Sequence, residues 1–408
     1  MNENEIRDPV YGFIIFSDDE KKIIDHPAFQ RLRRIKQLGL TDMLYPGATH
    51  TRFEHSLGVM HLATRMFAEI VRKPSSRKVL ESIFYNEEED RDLLRRAALL
   101  HDIGHGPFSH LSEELMGKNP ETGKPFKHED YTIAIIRGPL KKALGTWSDD
   151  IADFLRGNPT RLGLRIFWYQ LLSSQLDADR CDYLLRDSLH TGVKYGLYDI
   201  ERLLVTISLA RDPEEEKLSV GLTEGGWYVA ESLVIARYHM YEQVYFHKIR
   251  RAYDIMLREA LIESIGQLPP PWDIDEFLKL DDYTTWNIMK EKNSEWFKMI
   301  KERKHLKVVY EEEMTSKENH TQILDTIRQE LSNQGIWYWE DSPDRPKSWY
   351  GMGNGEEEIY IIKEDKPNRL SEYSPIVKYL KRRMVRRIYV KPFDYERAKN
   401  IIKKIREG

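Results

Sequence analysis

The sequence has a single cysteine, Cys181, among 408 residues. One thiol cannot form an intrachain disulfide and supplies at most one ligand to a metal ion. Disulfide-stapled scaffolds and cysteine-based zinc sites are therefore excluded. Any bound metal ion must be held by His, Asp or Glu side chains.

Long apolar runs are also absent. No stretch reaches the roughly 18 uninterrupted apolar residues that a membrane helix needs. The N-terminal sequence "MNENEIRDPVYG" lacks the basic and then apolar layout of a signal peptide. We therefore expect a cytoplasmic protein that does not enter a membrane.

Neither sign of charge dominates, because 63 basic and 67 acidic residues give a net charge of −4. This balance argues against a molecule-wide surface for nucleic acid. Basic residues cluster at 31–36 and 381–391, which is typical of a solvated face, although such clusters can also hold phosphates. We do not expect nucleic acid to be the main partner.

Apolar residues recur every three or four positions over most of residues 20–320, which predicts helices. We therefore expect a mainly α fold with a helical core over residues 1–320. Near residue 320 the pattern changes, and the predicted second unit is a smaller α+β lobe over residues 321–408.

In this lobe, residues 336–358 are rich in Trp, Pro and Gly and predict a long loop. Strands are predicted at 359–363 and 386–391, followed by a terminal helix from about Asp394.

Polar residues lie on stripes beside the predicted core. His55 is one helical turn before the apolar Val59, and His101 follows apolar positions at the predicted end of another helix. Residues 171–187 and 231–261 are each predicted as one further helix. Four separate helices thus present polar side chains toward the core.

A single buried histidine is usually a hydrogen-bonded core residue, but here several candidates occur together. His55, His101, Asp102 and Asp179 can surround one divalent ion and leave positions open for water and substrate. Mn, Fe, Mg, Zn, Co and Ni all remain candidates. A metal held in this way activates bound water and polarises a phosphoryl oxygen, which predicts a phosphoester hydrolase without a covalent nucleophile.

Four motifs carry a resemblance to a known family. "TRFEHSLGVMHLA", "ALLHDIGHGPFSH", "KHED" and "DADRCDYLLRD" resemble, in order and spacing, the signature motifs of HD-domain phosphohydrolases. Among these, they are most similar to the deoxynucleoside triphosphate triphosphohydrolases. An HD pair alone is weak evidence, whereas the combined set is specific. Some members join a SAM domain to the HD domain, and we expect only the HD core here.

The resemblance implies roles for the histidines and acids. The metal ligands would be His55, His101, Asp102 and Asp179. Three histidines would surround the α-phosphate, and the first or last of them would transfer a proton to the leaving oxygen. These residues are His105, His110 and His128.

The resemblance also implies a nucleotide-binding set. Several cations must hold a triphosphate in a fixed arrangement. The implied triphosphate contacts are Arg52, Arg180, Tyr183, Arg237 and Lys248. Tyr241 stands where the family's mammalian member has a histidine, and Arg180 stands where it has a lysine.

At the sugar, Gln37 and Asp187 match contacts to the 3′-hydroxyl in the family. Leu38 and Tyr245 match residues that close around the 2′ carbon. An aromatic ring packed there leaves neither space nor a partner for a 2′-hydroxyl, so we expect deoxynucleotides to be preferred.

Asp25 and Arg33 match residues that read a guanine in the family's activating site, and Arg303 matches a basic residue on its rim. We therefore expect a GTP or dNTP activator. In the alternative interpretation Asp25 caps a helix and Arg33 lies on a surface face. Because family members commonly form dimers or tetramers, we also expect a homo-oligomer.

The leading hypothesis is hydrolysis of a deoxynucleoside triphosphate (dNTP) to deoxynucleoside and inorganic triphosphate. One alternative is an HD phosphohydrolase acting on another phosphoester, such as a cyclic dinucleotide, a monophosphate or an alarmone. The other is a nucleotide-responsive module that binds nucleic acid through residues 381–391 and the ring of Tyr389.

Overall fold

A computed structural model describes residues 4–83, 85–211, 217–313, 320–341, 358–380 and 385–407. The fold is mainly helical with small sheets, which confirms the predicted fold class. Within these ranges, the helices are all too short or too polar to cross a lipid bilayer.

The chain begins with a hairpin that was not predicted from the sequence. Strand β1 (Asn4–Asp8) pairs antiparallel with β2 (Gly12–Phe16). The Asp8 carboxylate closes the turn by accepting hydrogen bonds from the backbone N–H groups of Val10 and Tyr11, and Gly12 adopts the left-handed φ of 81°. Asp8 is thereby fixed at the hairpin turn.

The helices of the core follow in chain order. They are α1 (Asp18–Ile24), α2 (Pro27–Gln30), α3 (Arg52–Arg72), α4 (Pro74–Glu81), α5 (Glu87–Leu100), α6 (His128–Arg137), α7 (Lys141–Leu144), α8 (Trp147–Leu155), α9 (Ala178–Thr191), α10 (Ile200–Thr206), α11 (Trp227–Met240), α12 (Lys248–Ser264), α13 (Ile274–Leu278), α14 (Asp282–Lys292) and α15 (Glu295–Lys301). Four further helices lie toward the C-terminus: α16 (His320–Asn333), α17 (Leu370–Tyr373), α18 (Pro375–Tyr379) and α19 (Tyr395–Glu407).

Helix α3 forms the centre of the core and packs against α5 and α9. It begins at a capping box, in which Thr51 and Glu54 bind each other's backbone N–H groups. Its apolar stripe, which includes Val59 and Met66, is fully buried. The same face carries His55, as the spacing predicted.

The helix predicted over residues 171–187 is shorter than expected. It begins only at Ala178, because the Asp177 side chain accepts a hydrogen bond from the Arg180 N–H and caps the first turn. Leu172 and Leu176 precede the helix, although both are buried. Asp179, which follows the cap, is therefore in the first turn of α9.

The prediction of one helix over residues 231–261 is wrong, because the segment forms two helices. Helix α11 ends at Met240, and a π-helical turn over Tyr241–Tyr245 follows, in which the Phe246 N–H binds the Tyr241 carbonyl. His247 then caps α12 by accepting a hydrogen bond from the Ile249 N–H. The side-chain directions expected from one continuous helix therefore do not hold after the π-helical turn at Tyr241–Tyr245.

Strands outside the hairpin form two sheets. They are β3 (Ile207–Arg211), β4 (Leu218–Thr223), β5 (Lys307–Glu313), β6 (Tyr338–Asp341), β7 (Tyr360–Lys363), β8 (Lys366–Arg369) and β9 (Val385–Val390). One sheet has the order β3-β4-β7-β8, and the other has the order β5-β9-β6. The β3–β4 pair was not predicted, whereas β7, β9 and α19 lie close to their predicted positions.

Both sheets contain strands from each side of residue 320, so their hydrogen bonds cross the predicted domain boundary. The boundary itself remains a prediction. Of the predicted loop at 336–358, residues 338–341 form β6, and residues 342–357 lie outside the described part of the chain.

Candidate metal centre and nucleotide cavity

Four predicted metal ligands come together from three places in the core. His55 is on α3, His101 and Asp102 directly follow α5, and Asp179 is in the first turn of α9. The His55 Nε2 atom lies 3.1 Å from Asp179 Oδ1 and 3.5 Å from Asp102 Oδ2. The His101 Nε2 atom lies 3.5 Å from Asp102 Oδ1 and 3.9 Å from Asp179 Oδ1.

These separations suit one shared cation, because ligand atoms about 2.1 Å from an ion lie roughly 3 to 4 Å from each other. The Nε2 atoms of His55 and His101 are both buried and have no well-oriented hydrogen-bond partner among the described residues. Two buried imidazole nitrogens that face carboxylates without a hydrogen bond suit a metal ion. His55, His101 and Asp102 form a group able to hold a divalent ion, as HD domains do.

The electrostatics of the centre favour positive charge. Burial lowers the pKa of His55, but the carboxylates of Asp179 and Asp182 outweigh this effect and raise the pKa to about 10. Burial also opposes ionisation of Asp102, yet the Arg52 guanidinium and His101 hold the pKa of this carboxyl well below its usual range. The carboxylates at the centre therefore favour positive charge on His55, and Asp102 stays ionised.

The remaining nitrogen of each predicted imidazole ligand is held by a fixed acceptor. His55 Nδ1 donates to Asp182 Oδ2 at 2.8 Å, and His101 Nδ1 donates to the Ala98 carbonyl at 2.7 Å. Such bonds fix the tautomer and the ring orientation. Asp182 was missed in the sequence, although its position three residues after Asp179 places it on nearly the same helix face.

A second group of histidines lies beside the centre. The rings of His105 and His128 stack with centroids 3.8 Å apart, and His110 packs edge-on against both. The Oε1 atom of Glu113 accepts hydrogen bonds from Nδ1 of His110 at 2.8 Å and of His128 at 2.7 Å. Glu113 was also missed, although its i+3 spacing from His110 could have indicated it.

The two stacked rings have opposite electrostatic environments. Burial and the Arg52 guanidinium lower the pKa of His105 well below its usual value, which keeps that ring neutral. Burial also acts against protonation of His128, but the hydrogen bond to Glu113 outweighs it and raises the pKa. The pair therefore joins a neutral imidazole to one that favours its charged form.

Two adjoining cavities connect the metal centre to the nucleotide-binding set. The first, of about 530 Å³, is lined by His101, Asp102, His105 and Asp179. The second, of about 790 Å³, is lined by most of the predicted nucleotide contacts. These are Gln37, Leu38, Arg52, Arg180, Tyr183, Asp187, Tyr241 and Tyr245. Both volumes are typical of small-molecule sites.

Asp187, a predicted sugar contact, is hydrogen bonded to two other side chains. Its Oδ2 atom accepts a hydrogen bond from the Tyr245 hydroxyl at 2.6 Å, and its Oδ1 atom accepts one from His50 Nε2 at 2.7 Å. Gln37 Oε1 is buried without a hydrogen-bond partner in the part of the chain that the structure describes. His50 was missed, because it precedes the helix that carries the motif.

Two predicted phosphate contacts lie outside both sets of lining residues. Arg237 is buried, and its Nη1 donates to Gln175 Oε1, while Nε and Nη2 lack partners among the residues described. Lys248 is exposed, because the break before α12 changes its direction. Arg250, two residues later, lines the larger cavity instead and binds the Thr41 hydroxyl.

The predicted activator residues are near the surface. Asp25 directly follows α1, and the exposed Arg33 guanidinium lies 3.5 Å from the centroid of the Phe53 ring. Arg303 is exposed just after α15. Their nucleotide role remains a prediction.

The structure argues against the alternative in which the Tyr389 ring stacks on a nucleic-acid base. The Tyr389 ring is fully buried, and its hydroxyl donates to the Lys248 carbonyl, so the ring cannot stack on a base. Residues 381–384 of the basic stretch lie outside the described ranges.

A helical core that brings histidines and acids around one metal position, beside a cavity of nucleotide size, defines a metal-dependent hydrolase class. Comparison with family models agrees: residues 52–162 match the HD domain, and residues 198–336 match the HD associated region. The chain belongs to the HD-domain phosphohydrolase family.

Similar proteins support this membership. The uncharacterized protein MJ1154 of Methanocaldococcus jannaschii is 33% identical over 92% of this chain and 76% of its own length. A crystal structure of a hypothetical protein from Aquifex aeolicus has a TM-score of 0.78 at 31% identity and covers 98% of this chain and 100% of that one. The Dictyostelium discoideum homolog of the deoxynucleoside triphosphate triphosphohydrolase SAMHD1 is 32% identical over 68% of this chain and 50% of its own length. The chain spans about half the length of most curated relatives that it matches.

Proposed function

We propose that this HD phosphohydrolase cleaves deoxynucleoside triphosphates to deoxynucleoside and inorganic triphosphate. The observation that carries the proposal is the Tyr245–Asp187 pair, which lines the same cavity as Asp179. Two predicted sugar contacts and a predicted metal ligand therefore line one cavity. The similarity to the Dictyostelium homolog of a deoxynucleoside triphosphate triphosphohydrolase supports the same reaction.

The proposed reaction adds water at the α-phosphorus and breaks the bond between that phosphorus and O5′. A divalent ion bound by His55, His101, Asp102 and Asp179 would supply activated water and polarise the phosphoryl oxygen. Arg52 stands next to the centre, bonded to Asp102 and to Ser109 Oγ, and orients the substrate phosphate. Arg180 lines the larger cavity and contributes a second cation.

The departing O5′ requires a proton, because an alkoxide is a poor leaving group. We assign this proton to His128, since its hydrogen bond to Glu113 favours the charged ring. His110 shares the same glutamate oxygen and lies at the rim of both cavities. His105, which stays neutral, contacts the phosphate and separates His128 from the metal centre.

Preference for deoxyribose would come from the aromatic wall of the cavity. Tyr245 and Leu38 would fill the space beside the 2′ carbon, and the Tyr245 hydroxyl is already engaged with Asp187. A 2′-hydroxyl would then be desolvated without a partner. Gln37, whose buried side-chain oxygen lacks a partner within the described chain, would bind the 3′-hydroxyl.

Two further properties belong to the proposal. Activation by GTP or a dNTP through Asp25, Arg33 and Arg303 is expected from the resemblance of these positions to the family's activator site. A homo-oligomer, either a dimer or a tetramer, is expected on the same basis.

The deciding experiment is chromatography of products from dATP, dGTP, dCTP and TTP, each with Mn²⁺ or Mg²⁺ and with or without GTP. Deoxynucleoside and tripolyphosphate are the expected products. Monophosphate and pyrophosphate would contradict the proposed bond cleavage. Turnover only of a cyclic dinucleotide, a monophosphate or an alarmone in the same panel would favour the alternative phosphoester hydrolase.

A further inference from the structure

Behind the metal centre lies a chain of buried ionic contacts, which we call the buried carboxylate chain and which consists of Asp8, Arg186, Asp182 and His55. Its three charged members come from the N-terminal hairpin and from α9. It ends at the metal-facing imidazole on α3. None of these charged members faces either of the two cavities described above.

Each link of the buried carboxylate chain has good geometry. Arg186 binds Asp182 through two hydrogen bonds of 2.9 Å, from Nε to Oδ2 and from Nη2 to Oδ1. Its Nη1 atom donates to Asp8 Oδ2 at 2.8 Å. Asp182 Oδ2 then accepts the hydrogen bond from His55 Nδ1. Asp182, Arg186 and His55 are fully buried, and Asp8 is 4% exposed.

The neighbouring turn of α3 has no side chain at the position that faces this pair. A Cβ atom at Gly58 would lie 2.0 Å from Asp182 Oδ1 and 2.3 Å from Arg186 Nη2. Gly58 is three residues after His55, so it faces the same side of the helix. The absence of a side chain there provides the space in which the Asp182–Arg186 pair fits.

We propose that Asp182 is a positioning residue for the metal centre, and that Arg186 and Asp8 hold it in place. The Asp182 carboxylate accepts the hydrogen bond from His55 Nδ1 and thereby directs the Nε2 atom toward Asp102 and Asp179. Arg186 fixes the carboxylate in the correct rotamer through two parallel hydrogen bonds. The N-terminal hairpin thereby contributes to the affinity of the centre for a divalent ion.

A merely structural ion pair would stabilise the fold without affecting metal affinity. The test therefore measures Mn²⁺ binding to the full-length, metal-free protein by isothermal titration calorimetry, without nucleotide. Asp182→Asn should weaken Mn²⁺ binding by about 10- to 100-fold, the range typical of partners to metal-bound histidines. Nitrogen-15 NMR of the histidine-labelled protein with bound Zn²⁺ should show a changed His55 Nδ1–H signal, because a neutral amide oxygen replaces the carboxylate as its acceptor.

The matched control is Asp90→Asn. Asp90 is also buried and paired with an arginine, Arg165, and it accepts a hydrogen bond from Trp168 Nε1 at 3.2 Å. It lies on α5 at the opposite end from His101. This variant should lose thermal stability but bind Mn²⁺ as the unchanged protein does.

Asp8→Asn and Gly58→Ala test the outer part of the buried carboxylate chain and provide a result if Asp182→Asn does not fold. Each should weaken Mn²⁺ binding by a few-fold to tenfold, because each displaces Asp182 without removing it. Unchanged Mn²⁺ affinity in folded Asp182→Asn, or in both outer variants, would overturn the proposal. An equal loss in Asp90→Asn would also overturn it. Mn²⁺ binding is measured without nucleotide, so the result does not depend on which substrate the protein cleaves. Failure of the proposed dNTP hydrolysis would therefore leave this test valid.

Discussion

His55 and His101 each present one free nitrogen because the other is already hydrogen bonded. Asp182 holds the first ring, and the last turn of α5 holds the second through the Ala98 carbonyl. Ring rotation would break these bonds, so both Nε2 atoms are held in position before a metal ion arrives. Preorganisation of this kind lowers the entropic cost of binding.

Removal of either adjacent ligand should abolish both bound metal and turnover. We expect His101→Ala and Asp102→Ala to lose the ion, because each removes one of the four predicted ligands that converge on a single position. Metal content measured by mass spectrometry of the purified variants checks this. His128→Ala is the comparison: it should retain the metal but turn over about 100-fold more slowly, because it removes the proposed proton donor. Full metal content in a double variant at 101 and 102 would show that the ligands are elsewhere.

Tyr245 should control the choice of sugar. Tyr245→Ala opens space at the proposed 2′ position, so the ratio of kcat/KM for dATP over ATP should fall by about tenfold or more. Tyr245→Phe keeps the ring but loses the hydrogen bond to Asp187, and it should retain most of the preference. An unchanged ratio in the alanine variant would remove Tyr245 from the selectivity argument.

At the level of residues, the four motifs predicted side chains that the structure brings close together, and their role as metal ligands stays a prediction. The supporting acids and His50 were not predicted. Asp182, Glu113 and His50 act only through a partner distant in sequence or across a turn, and spacing alone does not reveal such partners. Arg250 was missed because a continuous helix would have directed Lys248 to the cavity instead.

At the level of elements, helix α14 from the HD associated region holds the loop that precedes His110. Asp282 Oδ1 accepts a hydrogen bond from the Phe108 N–H at 2.6 Å, and its Oδ2 atom accepts one from the Lys36 N–H at 2.9 Å. Phe108 adopts a left-handed φ of 58°, an uncommon conformation that needs such an anchor. One carboxylate thus joins the segment before Gln37 to the segment before His110.

This carboxylate should give stability a distinct pH dependence. Burial raises the pKa of Asp282 from 3.8 to about 7, despite the nearby Lys36 and Arg31. Between these values the folded protein keeps a proton that the unfolded chain has released. The free energy of unfolding should therefore decrease as pH rises through this window, on the order of 1.4 kcal/mol per pH unit.

Asp282→Asn cannot titrate and should lose this slope. Urea unfolding of both proteins at several pH values between 4 and 8, with EDTA present to remove metal, gives the difference directly. The advantage of the unchanged protein over the variant should shrink as pH rises toward 7 and stay constant above it. Parallel curves across the whole range would exclude Asp282 as the titrating group.

Element boundaries were less predictable than element types. The Asp177 cap shortens α9, and the π turn divides α11 from α12, because local hydrogen bonds to backbone groups override the apolar period. The hairpins β1–β2 and β3–β4 were missed for another reason. Pairing with the neighbouring strand decides these strands more than their own sequence pattern does.

At the level of the whole molecule, the sheet β3-β4-β7-β8 determines how far the C-terminal residues depend on the core. Strand β7 lies between β4 and β8, with Ile361 paired to Leu222 on one side and to Asn368 on the other. The Ile361 side chain is fully buried in the main hydrophobic core. Packing of this kind favours one cooperative unit over two independent ones.

We therefore expect one thermal unfolding transition, in which Ile361→Ala lowers the stability of the entire chain. Deletion of this buried side chain should reduce the free energy of unfolding by about 2 to 5 kcal/mol, because it leaves a cavity beside the core helices. Ile376→Ala is the matched control: that side chain is 52% exposed, so its removal should change stability by less than about 0.5 kcal/mol. Differential scanning calorimetry distinguishes the possibilities. Two resolved transitions, with only one shifted by Ile361→Ala, would mean that residues 321–408 unfold independently, as the boundary predicted at residue 320 requires.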